Sequence, residues 1–399
     1  MDFQRMQSYM DDHELDAVFA MDPITTAYLR RFWQGGHIRT LRFDDHPCFP
    51  VFPRKGDAFV VDYMSWVPPE EVRPDWFKQY YKGRGSGMDG EHINLDVLAK
   101  ALREHGLDRG RIGLDLDEAP YSAVTYLQAL LPHLELVNAQ VLFSRLRAVK
   151  EPWQIDIIRD AVAVLEAAYL DTLKQVREGV TARELARHQM MQCVKGGMIM
   201  SWCSPLDIAS RWFPEQPKGL HLYMSEEDWP VKRNDEIEIF WDMGGEYQGY
   251  IADMSRAFYL GTPPADMVEK YEQLARWQEV ARDTIKLGMS VSEAYEAMRA
   301  ALMQEFGFVW GFFHGIGNFA HENPYLDLGL PLERLMTDRN DLRFEAGMVM
   351  AFEPFRKIDP DDPDGLKGEE GGCIEDDWLL TEDGWERLGS LPQKLFVID

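Results

Sequence analysis

A chain of 399 residues, 45% hydrophobic and 28% charged, is long enough for two domains and has the make-up of a globular protein. Its formal net charge of −26 repels phosphate backbones and anionic lipid, so neither nucleic acid nor a membrane is expected as a partner. No window approaches the roughly 18 apolar residues that span a bilayer. The opening MDFQRMQSYMDDHELDAVF has no basic stretch followed by an apolar one, so no signal peptide is expected. Four scattered cysteines, Cys48, Cys193, Cys203 and Cys373, fit reduced thiols in a cytoplasmic protein.

In chain order, LDAVFAM (15–21), CFPVFP (48–53), DAFVVDY (57–63) and RIGLDL (111–116) read as strands. NLDVLAKALREHG (94–106) and YSAVTYLQALLPH (121–133) read as helices, which makes 1–150 an α/β domain. Pro152 then sits where a helix tolerates proline. Ile158, Val162, Leu165, Tyr169 and Leu173 follow at spacings of three and four, one apolar face of a long helix. Thr181 and Glu184 have capping-box spacing ahead of a second helix, and a third covers roughly 264–287. Strand-rich segments between and after these helices give 151–399 an α+β character, with helices against a large curved antiparallel sheet.

Two hairpins bring acids together. In DEIEIFWDMGGEYQGYIADMSRAFYLG, an alternating strand leads into GGEYQG (244–249), which has turn chemistry, and a second strand returns. Asp242 and Asp253 straddle that turn and are expected as opposite or diagonal neighbours, about 5–8 Å apart. AGMVMAFEPFR (346–356) and GGCIEDDWLLT (371–381) flank a polar loop, and Glu353 and Glu375 are equidistant from its middle. Acids held that close destabilise a sheet unless a cation lies between them, and a carboxylate within an apolar strand is costly to bury unpaired. Four carboxylates carry −4 and two divalent ions +4, and with one imidazole they form a suitable ligand set for Mn²⁺, Co²⁺, Fe²⁺ or Zn²⁺. The imidazole would come from FFHGIGNFAHENP, whose two histidines, His314 and His321, are not separable by spacing alone.

Asp242, Asp253, His314, Glu353 and Glu375 resemble, in order and spacing, the five metal ligands of the pita-bread metallopeptidases, the family of methionine aminopeptidase, aminopeptidase P and prolidase. DMGGEYQGYIADMSRAF resembles D-x-G…Y-x-x-D-x-[ST]-R. HGIGNFAHENP resembles H-G-[IV]-G-x-x-x-H-E-x-P, and FEAGMVMAFEP and CIEDDWLLTEDGWERL resemble the two closing motifs. Together they cover about 235–387. LFSRLRAVKEPWQIDIIRDAV and the smaller domain before it are similar to the prolidase and creatinase branch.

The resemblance implies an α/β N-terminal domain (1–150) and an α+β pita-bread catalytic domain (151–399). It implies a homodimeric, dinuclear metal-dependent hydrolase of Xaa-Pro peptides, in which a metal-bridged hydroxide attacks an amide carbonyl. His314 becomes the metal-binding imidazole, with glycines beyond it that let the backbone bend close. Glu353 relays the proton, and His321 and His221 face the substrate. Three positions depart from the branch: Cys373 for an arginine, Trp310 for a histidine, and Phe313 for a glycine, all expected near the substrate pocket and making it more apolar. A second reading keeps the fold and changes the substrate to a small non-peptide, as in creatinase, ectoine hydrolase or dimethylsulfoniopropionate lyase. Phe240 and Gly244 stand where the lyase is expected to carry an extra Asp. A third reading, a catalytically dead binding module, is disfavoured by the five intact ligands.

Overall fold

The computed structural model describes residues 1–31, 48–62, 74–83, 90–207, 230–234, 239–307, 309–357 and 373–399, and the chain divides into two units, Met1–Arg147 and Ala148–Asp399. The first unit carries α1 (Phe3–Asp12), β1 (Ala17–Phe19), α2 (Pro23–Arg30), β2 (Phe49–Pro53), β3 (Ala58–Asp62), β4 (Phe77–Lys82), α3 (Gly90–Glu104), β5 (Arg111–Leu114), α4 (Tyr121–Leu130), β6 (Glu135–Asn138) and α5 (Gln140–Ala148). Its six strands form a mixed sheet in the order β4-β3-β2-β1-β5-β6. Phe19, Phe49, Val51, Phe59, Val61, Ile112 and Leu114 join one apolar cluster with α3 and α4. Val18, Phe52 and Val60 join another with Leu142 and Phe143 of α5, so the strands are apolar on both faces. The four expected strands and two helices are present; β4, β6, α1, α2 and α5 are additional.

The second unit opens on α6 (Pro152–Leu173), with proline in its first turn and Ile158, Val162, Leu165, Tyr169 and Leu173 all buried. Fully burying each such side chain stabilises the fold by about 1.5–3 kcal/mol. In α7 (Ala182–Lys195) the Thr181 hydroxyl accepts from Glu184 N, and the Glu184 carboxylate accepts from Thr181 N, closing the capping box. β7 (Ile199–Asp207), β8 (Ile239–Tyr247) and β9 (Tyr250–Leu260) follow, then α8 (Ala265–Thr284), α9 (Val291–Phe306), β10 (Trp310–Gly315), β11 (Glu322–Asp327), α10 (Leu332–Leu335), β12 (Val349–Lys357), β13 (Asp376–Thr381), β14 (Gly384–Arg387) and β15 (Phe396–Ile398).

Among the described residues the large, mostly antiparallel sheet of this unit is built from two ladders, ordered β11-β10-β12-β13-β14 and β15-β9-β8-β7, the second with a parallel edge because β15 runs parallel to β9. A pair of backbone hydrogen bonds between Ser255 and Glu375 joins them. Arg256, fully buried, reinforces the join: its guanidinium donates to Ser255 O, Glu375 O and the Asp376 carboxylate at 2.6–2.8 Å. The two-sheet arrangement sets the acids of both hairpins against one another.

Candidate metal centre

The β8–β9 turn is tighter than GGEYQG suggests. Tyr247 pairs with Tyr250, only Gln248 and Gly249 turn, and both glycines of 244–245 lie within β8. In this register Asp242 is opposite Ser255 and Gly244 is opposite Asp253, so the two aspartates are diagonal neighbours on one face. In the other sheet Phe352 pairs with Asp376, and one further step along the same register sets Glu353 against Glu375. β10 lies beside β12 with His314 against Ala351 and Phe312 against Glu353. Strand alternation therefore puts Phe312, His314, Glu353, Glu375 and Asp377 on a common face.

His314 Nε2 lies 3.4 Å from Glu375 Oε1, 3.6 Å from Glu353 Oε2 and 4.0 Å from Asp253 Oδ2. Three overlapping groups have ligand atoms within 4.8 Å of one another: Asp242, Asp253 and Glu375; His314, Glu353 and Glu375; Asp253, His314 and His321. The ring of His314 is oriented from behind, because Nδ1–H donates to Ala320 O at 2.7 Å, which leaves Nε2 toward the acids. Glu375 is oriented likewise, with Oε2 accepting from the Ser255 hydroxyl at 2.8 Å.

Three buried atoms at this face, His314 Nε2, Glu375 Oε1 and Asp377 Oδ1, have no hydrogen-bond partner among the described residues. Burial, followed by the charges of Glu375, Asp242 and Glu353, pushes the Asp253 carboxyl well above the usual carboxylate range. Burial and Glu375 do the same to Glu353. At His314 burial alone would lower the imidazole's pKa, but Glu353 and Glu375 more than reverse it and raise it to about 10. The cluster thus takes up positive charge, and its oxygen-rich donor set with one nitrogen fits divalent cations.

His321 is on the exposed side, its ring centroid 4.3 Å from that of His314, and burial, then the proximity of His314, lowers its pKa to about 4. His221 lies outside the described residues. Cys373 is fully buried, and its thiol is raised well above its usual pKa by burial and then by Glu353, Glu375 and Asp242, which puts it beside the acids.

Phe313 and Trp310 are not pocket residues. Phe313 faces away from His314, stacked 4.9 Å from Trp277 and edge-on to Phe352 at 5.0 Å. A register shift between Trp310 and Phe312, with Gly311 at φ +91°, turns Trp310 into the same core cluster. The ring that does share the face of His314 is Phe312, half-buried and 6.1–6.4 Å from Tyr325 and His321. The glycines after His314 make room for the chain that follows, since a Cβ on Gly315 would lie 2.9 Å from Asn323 O.

Residues 156–382 match metallopeptidase family M24, and residues 3–149 match the creatinase/prolidase N-terminal domain. The chain belongs to metallopeptidase family M24 and is a hydrolase of that class, with the pita-bread fold. It is 26% identical to the ectoine hydrolase of Halomonas elongata, over 98% of this chain and 95% of that one. It is 25% identical to an Xaa-Pro dipeptidase of Lactobacillus helveticus, over 100% and 99%. In structure it resembles the Xaa-Pro dipeptidase of Bacillus anthracis, with a TM-score of 0.76 at 22% identity, covering 99% of this chain and 98% of that chain.

Proposed function

We propose that this chain is a dinuclear metal-dependent hydrolase that opens an amide bond in a small substrate, with Xaa-Pro dipeptides as the first class to test. The observation that carries the reading is one cluster in which His314 Nε2 faces Asp253, Glu353 and Glu375, with Asp242 joined to it through Asp253 and Glu375. Those five residues would hold two divalent cations, which supply a nucleophilic water at neutral pH and charge stabilisation for a polarised carbonyl.

The protein's own groups do the rest. Glu353, held in an apolar strand beside the other acids, would take a proton at its carboxylate and pass it on, the role its motif implies. His321 is neutral above about pH 5, because its pKa is lowered to about 4, so its ring N–H can donate to the oxygen that gains charge as the amide is attacked. Phe312 and Tyr325 offer apolar surface on the same side, which favours a compact, weakly polar substrate over an extended charged one. His221 is assigned to the substrate side on its motif alone.

Cys373 and the full-length similarity to ectoine hydrolase favour a second reading, in which the amide belongs to a small non-peptide. A cysteine cannot make the bidentate contacts of an arginine to a substrate carboxylate. A panel of Xaa-Pro dipeptides, an unrelated dipeptide, ectoine, creatine and a dimethylsulfonium compound, assayed with added Mn²⁺, separates the two. Turnover of Xaa-Pro dipeptides supports the first, and turnover of ectoine alone replaces it. Loss of bound metal and of turnover in Asp253→Ala is expected under either, and an Asp253→Ala enzyme with full turnover refutes both. A manganese-loaded cytoplasmic homodimer is the working assembly; light scattering of the purified chain tests the dimer.

A further inference from the structure

Asp377 is a carboxylate that the five-ligand reading leaves idle. It is 2% exposed, yet its sequence neighbours give no reason to bury a charge there. Asp376, one position earlier, points to the opposite face and is neutralised by Arg256 at 2.6 Å and Arg387 at 3.4 Å. Asp377 pairs across the ladder with Ala351, which in turn pairs with His314, so its side chain shares the face of the cluster and lies two positions beyond Glu375. Its Oδ2 accepts from the backbone N–H of Asp253 at 3.1 Å, and its Oδ1 is buried without a hydrogen-bond partner among the described residues.

The position of that hydrogen bond gives it meaning. Ser255 and Glu375 exchange backbone hydrogen bonds where the two sheets meet. Two residues further on, at Asp253 and Asp377, a side-chain oxygen takes the place of the backbone carbonyl that would otherwise continue the pairing. The backbone of Asp253 is thereby tied to the strand that carries Glu375. We propose that Asp377 is a positioning residue for the metal centre: it fixes the Asp253 main chain so that the Asp253 and Glu375 carboxylates stay within reach of one cation. This rests on the cation-binding reading of the cluster, and it concerns affinity for metal rather than the chemistry of the substrate. The burial of one more carboxylate beside four others is the cost that such a tie offsets.

Two substitutions separate orientation from charge. Asp377→Asn removes the charge but keeps an oxygen able to accept from Asp253 N–H, and Asp377→Ala removes both. Mn²⁺ affinity is measured by equilibrium dialysis of chelator-stripped protein, with no substrate present. The expected result is a loss of about 10- to 100-fold for the alanine variant, with the asparagine variant within about threefold of wild type. An asparagine variant as weak as the alanine variant overturns positioning in favour of charge, and an alanine variant that binds like wild type overturns any role. Should Asp377→Ala not fold, Asp377→Ser, polar but too short to reach, takes its place with the same prediction. A wild-type chain that binds no Mn²⁺ sinks the metal centre and this assignment together. A wild-type chain that binds while every variant matches it sinks this assignment alone.

Discussion

At His321 a ring on the exposed side of the cluster has its pKa lowered to about 4, by burial and then by its neighbour His314, so from about pH 5 upward it is a neutral donor. Its nitrogen lies within ligand range of Asp253 and His314, and a mutation can tell a ligand from a substrate-facing group. His321→Ala is expected to lower kcat by about 10²- to 10³-fold while bound metal stays unchanged. Loss of metal in that variant would make His321 a ligand instead. His314→Ala is expected to lose both, because its Nε2 faces three carboxylates. A hydrogen bond no sequence displays, from His314 Nδ1–H to Ala320 O, turns His314 Nε2 toward the acids and supports its assignment as the ligand, which the two variants test.

At the scale of the strand, the site depends on phase. Equidistance from a turn was enough to bring Asp242 toward Asp253 and Glu353 toward Glu375, because hairpin register follows from the turn and the pleat. The same pleat, counted from His314, already sends Phe313 to the far side and Phe312 to the near one. Trp310 could not be placed that way, because the bulge at Gly311 reverses the alternation, and a bulge has no residue pattern of its own beyond a glycine. Asp377 escaped notice for a related reason: in EDD, three adjacent acids look alike until the phase of Glu375 is known.

Gly311→Ala tests the bulge. Its φ of +91° disfavours any side chain, and a Cβ would meet the Trp277 ring at 2.6 Å, so a loss of about 2 kcal/mol or more in denaturant unfolding is expected. Thr181→Ala, which removes only a helix cap, is expected to cost about 1 kcal/mol. Arg256→Leu would leave the buried Asp376 carboxylate with Gln393 at 2.9 Å and the more distant Arg387 as its only charged partner among the described residues, and is expected to cost about 3–5 kcal/mol, with weakened metal binding as the sheets lose their clamp.

For the whole molecule, among the described residues no helix is long and apolar enough to cross a membrane, and the formal net charge is −26. Asp253 and Glu353 have folded pKa values raised above their unfolded ones, so what they contribute to the stability of the metal-free protein is present below about pH 4 and lost as pH rises through the folded values. His314, raised to about 10, acts in the same direction, its contribution present below about pH 6.5 and lost as pH climbs toward 10. The Tm of chelator-stripped protein is therefore expected to fall between about pH 5 and 9 relative to that of Mn²⁺-loaded protein, with the gap widening as pH rises. Parallel curves for the two forms would mean that the acids are solvated and separate.

The most direct test of the central claim is to dialyse chelator-stripped wild-type and Asp253→Ala protein against Mn²⁺ and count bound metal per folded chain by mass spectrometry. The account predicts two tightly held ions in the wild type and a loss of tight binding in the variant. A folded wild-type chain that retains none, or a variant that retains the full complement, contradicts it.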